Sequence, residues 1–393
     1  MTTQICIVSE QLIPNLIPAL IMRPERVLLV CSAEMDGLGL ARRLRALLES
    51  EGFSVQVRTG LPSGALSRIV DYVRALRDEL QRTRPDEALV LNLTGGNKLM
   101  TIAFSQVLGP VAAKTIYTDT AHGLLEELPR PGEAGGASVP LDSVLSVRRY
   151  LHAQGLQVRA LRSEQDAWRE SVRSRRDLTR LLGRRAIALA SFFGAVNGLA
   201  NQAQDTRGER LIEPCQHFTQ PPRGLWADAL RQIRDGGLVR WEGSTEVQFA
   251  DLEAARYLNG GWLEEYAWLV ASELRPDDLA LGVVGDWEGT ERGRNELDVV
   301  IVHANRLLMI ECKTLRLGRD DESDRDLLYK LDSVGDDVRG LFGEVVLLSA
   351  RAPSPLIRDR AAHHGIQAVG PERLGRLQSD IRDWMKQGLF PSR

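Results

Sequence analysis

The sequence predicts an α/β protein of more than one domain, on three observations. Short apolar runs alternate with amphipathic stretches over the first 150 residues. An arginine-rich stretch with helical signals follows, and near residue 313 an apolar hairpin ends in a carboxylate and a lysine. At 393 residues the chain can hold two or three cores. Its 43% hydrophobic and 26% charged content is ordinary for a soluble globular protein. No uninterrupted apolar run approaches the roughly 18 residues that suggest a membrane span, and the opening "MTTQICIVSE" does not look like a signal peptide.

In order along the first part, "ICIVS" reads as a strand, Ile13–Met22 as a loop and helix, "RVLLVCS" as a strand, and 38–48 as a helix. "SVQVRT", a helix over 65–82, "ALVLNLT", a helix from Lys98 and "KTIYTDT" follow. Such alternation, punctuated by Gly and Pro, predicts a doubly wound, mostly parallel sheet. "RPGEAGGASVP" breaks the pattern, which places the first domain at 1–150.

Residues 151–245 form a basic linker with helical signals. Arg169, Arg173, Arg176, Arg180 and Arg184 recur at helical steps and fall on one face, which suits either a solvated connecting helix or contact with a phosphate backbone or another subunit. "GLWADALRQIRDGGLVRWEG" reads as a helix, a Gly-Gly turn and a strand, a winged-helix-like element at the end of this stretch. Residues 246–393 then form an α/β domain with a mixed sheet. A helix containing "GGWLEEYAWLVASEL" precedes the runs "NELDVVIVH" and "RLLMIECKT", which flank a turn at Ala304-Asn305. Lys+Arg against Asp+Glu is 16 to 16 over 1–150, 15 to 10 over 151–245 and 19 to 27 over 246–393. The basic middle is compatible with nucleic-acid contact and the acidic end with a bound cation. Cys6, Cys31, Cys215 and Cys312 fit neither a disulfide framework nor a CxxC metal site, and a reducing cytoplasm is the expected compartment.

The hairpin carries the chemistry. Side chains alternate along a strand, so Glu311 and Lys313 project together and Cys312 points away. Leu297, Val299 and Ile301 share one face of the preceding strand, which leaves Asp298 on the other, where a turn at Ala304-Asn305 brings it beside Glu311. Two carboxylates can hold a divalent cation, and a neighbouring lysine can orient or deprotonate a water. Hard oxygen ligands favour Mg²⁺ or Mn²⁺ over zinc. The plainer reading is a hairpin that ends in exposed Glu and Lys. Against it stand the apolar strands around these charges and the further acid in "GWLEEYAW".

The segment "NELDVVIVHANRLLMIECKT" resembles the PD-(D/E)xK nuclease core. The resemblance implies a restriction-endonuclease-like domain with Asp298 and Glu311 as metal ligands, Lys313 positioning or activating water, and Glu264 as the helical acid. It also implies that the Cys312 carbonyl completes the metal's shell. Glu264 and Glu265 are about 100° apart on a helix, so only one can face the site. Tyr329 and Lys330 are candidates for lining the cleft, or parts of an ordinary amphipathic helix.

At the other end, "NLTGGNKLM" runs from a strand into a helix. Its backbone N–H groups, helix N-terminus and lysine suit an anion, although a tight turn with a helix cap reads equally well. Its spacing is neither GxxxxGK[ST] nor GxGxxG. The wider "LNLTGGNKLMTIAF" resembles the Rossmann-like CARF domains that sense cyclic oligoadenylates made by type III CRISPR complexes, and "SEQLIPNLIPAL" resembles their first ligand loop. The resemblance implies that Thr94, Gly95, Gly96, Asn97 and Lys98 contact the cyclic nucleotide, with Ser9, Gln11 and Asn15 as further candidates. It also implies a homodimer that composes one two-fold pocket.

The whole chain is thus similar to CARF nucleases, CRISPR ancillary effectors. That implies a metal-dependent endonuclease, using Mn²⁺ or Mg²⁺, that cuts DNA or RNA, single-stranded in the first instance, on binding cyclic tetra-adenylate in antiviral defence. Two rivals stand beside it: a ligand-independent repair or restriction-type nuclease, and a ligand-responsive nucleic-acid-binding regulator whose nuclease domain is inactive. Ligand-independent cutting marks the first, and binding without cutting in Mn²⁺ marks the second.

Overall fold

The computed structural model describes all residues except 121, 131–132, 134, 289–294, 315–334, 336, 341 and 392–393. Tyr329 and Lys330 therefore lie outside the described residues. The chain divides into two compact units, Met1–Gln157 with Gly340–Phe342, and Val158–Arg339 with Gly343–Arg393.

In the first unit the alternating runs become β1 (Thr2–Ile7), α1 (Ile13–Met22), β2 (Arg26–Val30), α2 (Ala33–Gly37), α3 (Leu40–Ser50) and β3 (Ser54–Arg58). They continue as α4 (Leu66–Thr83), β4 (Ala88–Asn92), α5 (Lys98–Leu108), β5 (Lys114–Asp119), β6 (Leu124–Leu128), β7 (Ser138–Pro140) and α6 (Val147–Gln154). The sheet order is β3-β2-β1-β4-β5-β6-β7. Strands β1 to β5 are mutually parallel, and β6 and β7 add antiparallel strands at one edge. Strand order reverses between β1 and β4, and in a doubly wound sheet the carboxyl ends of such a pair open a crevice. Helix α4 buries Ile69, Val73, Leu76 and Leu80, at steps of four, three and four, in one core with Ile5, Ile7, Leu28, Leu91 and Phe104.

In the second unit a mixed six-stranded sheet runs β16-β15-β14-β13-β12-β8. Its members are β8 (Leu156–Leu161), β12 (Asp278–Trp287), β13 (Asn295–His303), β14 (Arg306–Lys313), β15 (Gly343–Ser349) and β16 (Ile366–Val369). Strands β12, β13 and β14 pair antiparallel, and β14, β15 and β16 parallel. Ala304 (φ 49°) and Asn305 (φ 60°) both adopt the left-handed conformation that a two-residue type I′ hairpin turn requires.

Helices α7 (Asp166–Arg184) and α8 (Ala186–Gln202) belong to this unit. Their Trp168, Val172, Leu182, Phe192 and Phe193 share a core with Trp262 and Tyr266 of α11 (Trp262–Ser272) and with Val299 and Ile310 of the sheet. Phe193 stacks on Trp262 with ring centroids 4.2 Å apart. Helix α9 (Leu225–Asp235) adjoins a small antiparallel sheet of β9 (Cys215–His217), β10 (Val239–Arg240) and β11 (Glu246–Phe249). The arginine stripe on α7 is largely neutralised locally. Arg173 pairs with Glu170, Arg176 and Arg180 both pair with Glu273, and Arg169 donates to the Ser163 carbonyl. Cys6, Cys31 and Cys312 are buried thiols and Cys215 an exposed one. Among the described residues no helix is long and apolar enough to cross a membrane.

Candidate functional site

The hairpin register sets the first half of the acid site. Val299 lies opposite Ile310, and one step further come Asp298 and Glu311. Asp298 Oδ2 accepts the Cys312 backbone N–H at 2.7 Å, which ties the two strand ends together. Lys313 Nζ donates to Glu311 Oε1 at 2.7 Å. Burial, then the charges of Glu311 and Glu264, push the Asp298 carboxyl well above the usual carboxylate range, with Lys313 and the Cys312 N–H opposing. Burial alone would lower the Lys313 ammonium. The charges of Glu311 and Asp298 outweigh it and hold the group above its ordinary value.

The helix that supplies the remaining acid begins irregularly. After α10 (Leu252–Arg256) comes a π-helical turn, Tyr257–Gly261, and α11 starts at Trp262. Asn197 Nδ2 donates both to the Asn259 carbonyl (2.7 Å) and to Thr314 Oγ1 (2.9 Å), joining this turn to the end of β14. Glu264 and Glu265 then part ways. Glu265, 1% exposed, takes two hydrogen bonds from Arg175 on Oε2 (2.9 and 2.6 Å) and one from Thr179 on Oε1 (2.6 Å). Both of its oxygens are spent inside the core. Glu264 faces the hairpin charges instead: burial raises its carboxyl, Arg162 lowers it, Glu296 and Glu311 raise it, and Lys313 lowers it.

Glu264, Asp298, Glu311 and Lys313 therefore form one electrostatic cluster of three acids and one amine. Two of those acids are held above their normal range by burial and by neighbouring carboxylates, Glu311 and Glu264 acting on Asp298 and Glu296 and Glu311 on Glu264, which is what a site short of positive charge produces. A divalent cation bound through carboxylate oxygens fits that deficit and donor set. The Cys312 thiol is buried and pushed up by burial and by Asp298, so its sulfur is no ready metal donor. Elsewhere, Cys215, His217 and Glu246 bring donor atoms within 4.8 Å of one another on an exposed strand pair. That set offers one carboxylate and no amine, and so lacks the hydrolytic arrangement.

In the first unit, a pocket of about 450 Å³ opens at the carboxyl ends of β1 and β4. Ser9, Gln11, Thr94, Gly96 and Asn97 are among its lining residues. Gly95 is not, and its role is steric: a Cβ there would sit 1.9 Å from the Ile7 carbonyl oxygen. Gly96 has φ +77°, the left-handed region that glycine enters freely. Asn97 caps α5 by accepting from Met100 N–H (3.0 Å) and donates to the Ser63 carbonyl (2.9 Å). Lys98 is exposed and does not line the pocket. Asn15 is buried beneath it, its amide donating to the Ile7 carbonyl (2.8 Å) and accepting from Asn92 (3.0 Å).

Asn92 is the hub of this floor. Its Oδ1 accepts from Thr94 N (3.0 Å) and Oγ1 (2.6 Å), and Thr94 Oγ1 in turn accepts from Thr118 N (2.8 Å). Sequence reasoning missed Ser32, Met35, Ser63, Tyr117 and Thr118, which also line the pocket. Only the placement of β5, α2 and the loop at Ser63 beside the β1/β4 crevice could have signalled them.

A doubly wound sheet with a pocket at its switch point, joined to an acid–lysine hairpin domain, defines the class: a CARF domain followed by an endonuclease domain. The chain belongs to the Card1-like family of such proteins, with the Card1 CARF domain matching residues 3–150 and the Card1-like endonuclease domain matching residues 251–388. Comparison with curated proteins returns no match. Among solved structures, the chain is similar to protein VC1899 from Vibrio cholerae (TM-score 0.84, 21% identity, 99% of each chain covered). It is also similar to Can2 from Sulfobacillus thermosulfidooxidans in complex with cyclic tetra-adenylate (TM-score 0.75, 22% identity, 98% of this chain and 97% of that one). A third is a type III CRISPR defence DNA nuclease activated by cyclic oligoadenylate (TM-score 0.54, 16% identity, 96% of this chain and 51% of that one). At these identities the likenesses establish the fold.

Proposed function

We propose that the protein is a metal-dependent endonuclease of type III CRISPR defence that cuts single-stranded DNA or RNA when cyclic tetra-adenylate occupies its CARF domain. The observation that carries this reading is the convergence of Asp298, Glu311, Glu264 and Lys313. Asp298, Glu311 and the Cys312 carbonyl would hold Mg²⁺ or Mn²⁺, and Glu264 would add a further acid. Such an ion lowers the pKa of water and stabilises charge developing on a phosphodiester oxygen.

The chain's own groups do the rest. The Cys312 N–H fixes one Asp298 oxygen, so the carboxylate is aimed before substrate arrives. Lys313 keeps its proton, and its ammonium, steered by Glu311, donates to the attacking water and to the phosphate oxygen beside it. The water oxygen bonds to phosphorus and gives up one proton to solvent as one P–O ester bond breaks, and the leaving oxygen takes up a proton.

In the CARF domain, Ser9, Gln11, Thr94, Gly96 and Asn97 line the ligand pocket, and a homodimer would present two identical loop sets to a ring of even size. The structure of Can2 with cyclic tetra-adenylate supports the choice of ring. To turn a 1:99 mixture of inactive and active arrangements into 99:1, the ring must favour the active one by about 5.5 kcal/mol.

The test is a matrix of cyclic tetra- and hexa-adenylate against single-stranded DNA, single-stranded RNA and supercoiled DNA in Mn²⁺, with a chelator arm. Cutting that requires both the tetra-adenylate ring and the metal is expected. Every substrate left intact, or equal cutting without a ring, overturns the reading.

A further inference from the structure

The matched domains end at residue 150 and resume at 251, and the stretch between them has no assigned task. Part of it forms one wall of a cleft of about 780 Å³ in the second unit. Arg162, Arg207, Arg256, Asn259, Glu264 and Glu296 are among the lining residues. Glu264 belongs to the acid cluster, so the cleft adjoins the place where a phosphodiester would be cut.

The loop that carries Arg207 is built. Asp205 N–H donates to the Arg210 carbonyl (3.0 Å), and Gly208 N–H to the Asp205 carbonyl (2.9 Å). Asp205 Oδ1 accepts from Glu209 N (2.7 Å) and Arg210 N (3.2 Å). From the other wall, Arg256 donates twice to the Gly208 carbonyl, at 2.9 and 2.7 Å, and once to Glu253 at 3.0 Å. Arg256 is therefore spent on holding the loop. Glu253 also takes a hydrogen bond from Arg162 (2.8 Å). Gly282, on β12, makes room for this arginine: it has φ +60°, and a Cβ there would lie 2.8 Å from Arg162 Cβ.

The guanidinium of Arg207 makes no hydrogen bond or ion pair among the described residues, yet the backbone that bears it is fixed on both sides. Leaving Glu264 to the cation, three guanidiniums in the cleft face two carboxylates, Glu253 and Glu296. A surplus cation on an ordered loop beside the acid cluster suits an anionic polymer passing through.

We infer that the 205–210 loop is a strand-gripping element, in which Arg207, in the cleft it shares with Arg162 and Glu264, holds the phosphodiester backbone of the substrate. The inference rests on the nuclease reading and adds the residues that bind the strand. The shared chemistry is the phosphate backbone, and DNA and RNA are its two possible sources.

The full chain is tested in a Lys313→Ala background, with cyclic tetra-adenylate and Mn²⁺, by fluorescence polarisation on labelled oligo-dT and oligo-U. Arg207→Ala is expected to weaken binding roughly tenfold and to reduce the slope of log affinity against log salt by about 0.7, the value for one lost phosphate contact on a single strand. Arg207→Lys restores the slope, and Arg173→Ala, on the exposed face of α7, changes neither quantity. Whichever oligonucleotide shows the larger loss is the strand the loop holds. Unchanged affinity and slope in Arg207→Ala, or a parent chain that binds neither oligonucleotide, overturns the inference. Cutting by the Lys313-bearing chain is scored separately, so an active nuclease with a silent Arg207 removes this inference alone.

Discussion

The CARF pocket and the acid cluster solve opposite problems. The pocket is lined mainly by uncharged groups, and its precision comes from what lies beneath: Asn92, Asn15, Thr94 and Thr118 satisfy one another, and Gly95 and Gly96 let the turn press on β1. The acid cluster does the reverse. Glu264 and Asp298 are left incompletely compensated beside the Glu311–Lys313 pair, and the surrounding fold bears the cost of holding them together. On the proposed function, the pocket takes up and releases a ligand, which satisfied walls suit, whereas the acid cluster would recruit a cation, which an unsatisfied site suits. Substitutions should therefore act differently in the two regions.

The largest effect is expected at the acid cluster and on cleavage alone. Lys313→Ala or Glu311→Ala should lower the single-turnover rate about 10³-fold or more, equivalent to roughly 4 kcal/mol of transition-state stabilisation. Binding of cyclic tetra-adenylate, measured by calorimetry on the same preparations, should stay within twofold. If the ring's affinity falls as far as the rate, the two regions are not the separate devices described above.

Adjacent glutamates on α11 give the next largest effect and separate charge kept for chemistry from charge kept for structure. Glu265→Ala leaves Arg175, 7% exposed, buried without its carboxylate, and should cost about 3 kcal/mol in the urea unfolding of the second unit. Glu264→Ala removes a carboxyl that burial and its neighbours already raise, so the folded state should lose little while cleavage falls. Equal urea midpoints for the two variants would show that the Arg175–Glu265 pair is not the structural member.

How far these features can be read without coordinates follows from their physics. The hairpin site is legible because a strand repeats every two residues, so Asp298, Glu311 and Lys313 share a side once the Ala304-Asn305 turn is placed. The choice between Glu264 and Glu265 is not, since it depends on Arg175, ninety positions away in sequence from Glu265. The switch-point corner is legible in Thr94, Gly96 and Asn97, yet Asn15 looks like a ligand residue and is consumed by Ile7 and Asn92. Its amide was needed where the turn crosses β1. Composition sets 151–245 apart as basic, but the apolar faces of α7 and α8 place them in the core of the second unit, with four of the five stripe arginines bonded locally.

The smallest expected effect lies in the pocket, at a residue no motif announces. Tyr117 lines it with 43% of its surface exposed, on β5 next to Thr118, which is bonded into the Asn92 floor. A half-exposed aromatic ring on a fixed strand offers a flat face to a base, and base–aromatic stacking contributes on the order of 1 kcal/mol or more. Tyr117→Ala should weaken cyclic tetra-adenylate roughly fivefold to tenfold by calorimetry, and Tyr117→Phe should recover most of the loss because the ring, not the hydroxyl, does the stacking. The cleavage rate at saturating ring should match the parent, since occupancy is restored by concentration. A Tyr117→Phe variant as weak as Tyr117→Ala would assign the contact to the hydroxyl and make the pocket's recognition polar throughout.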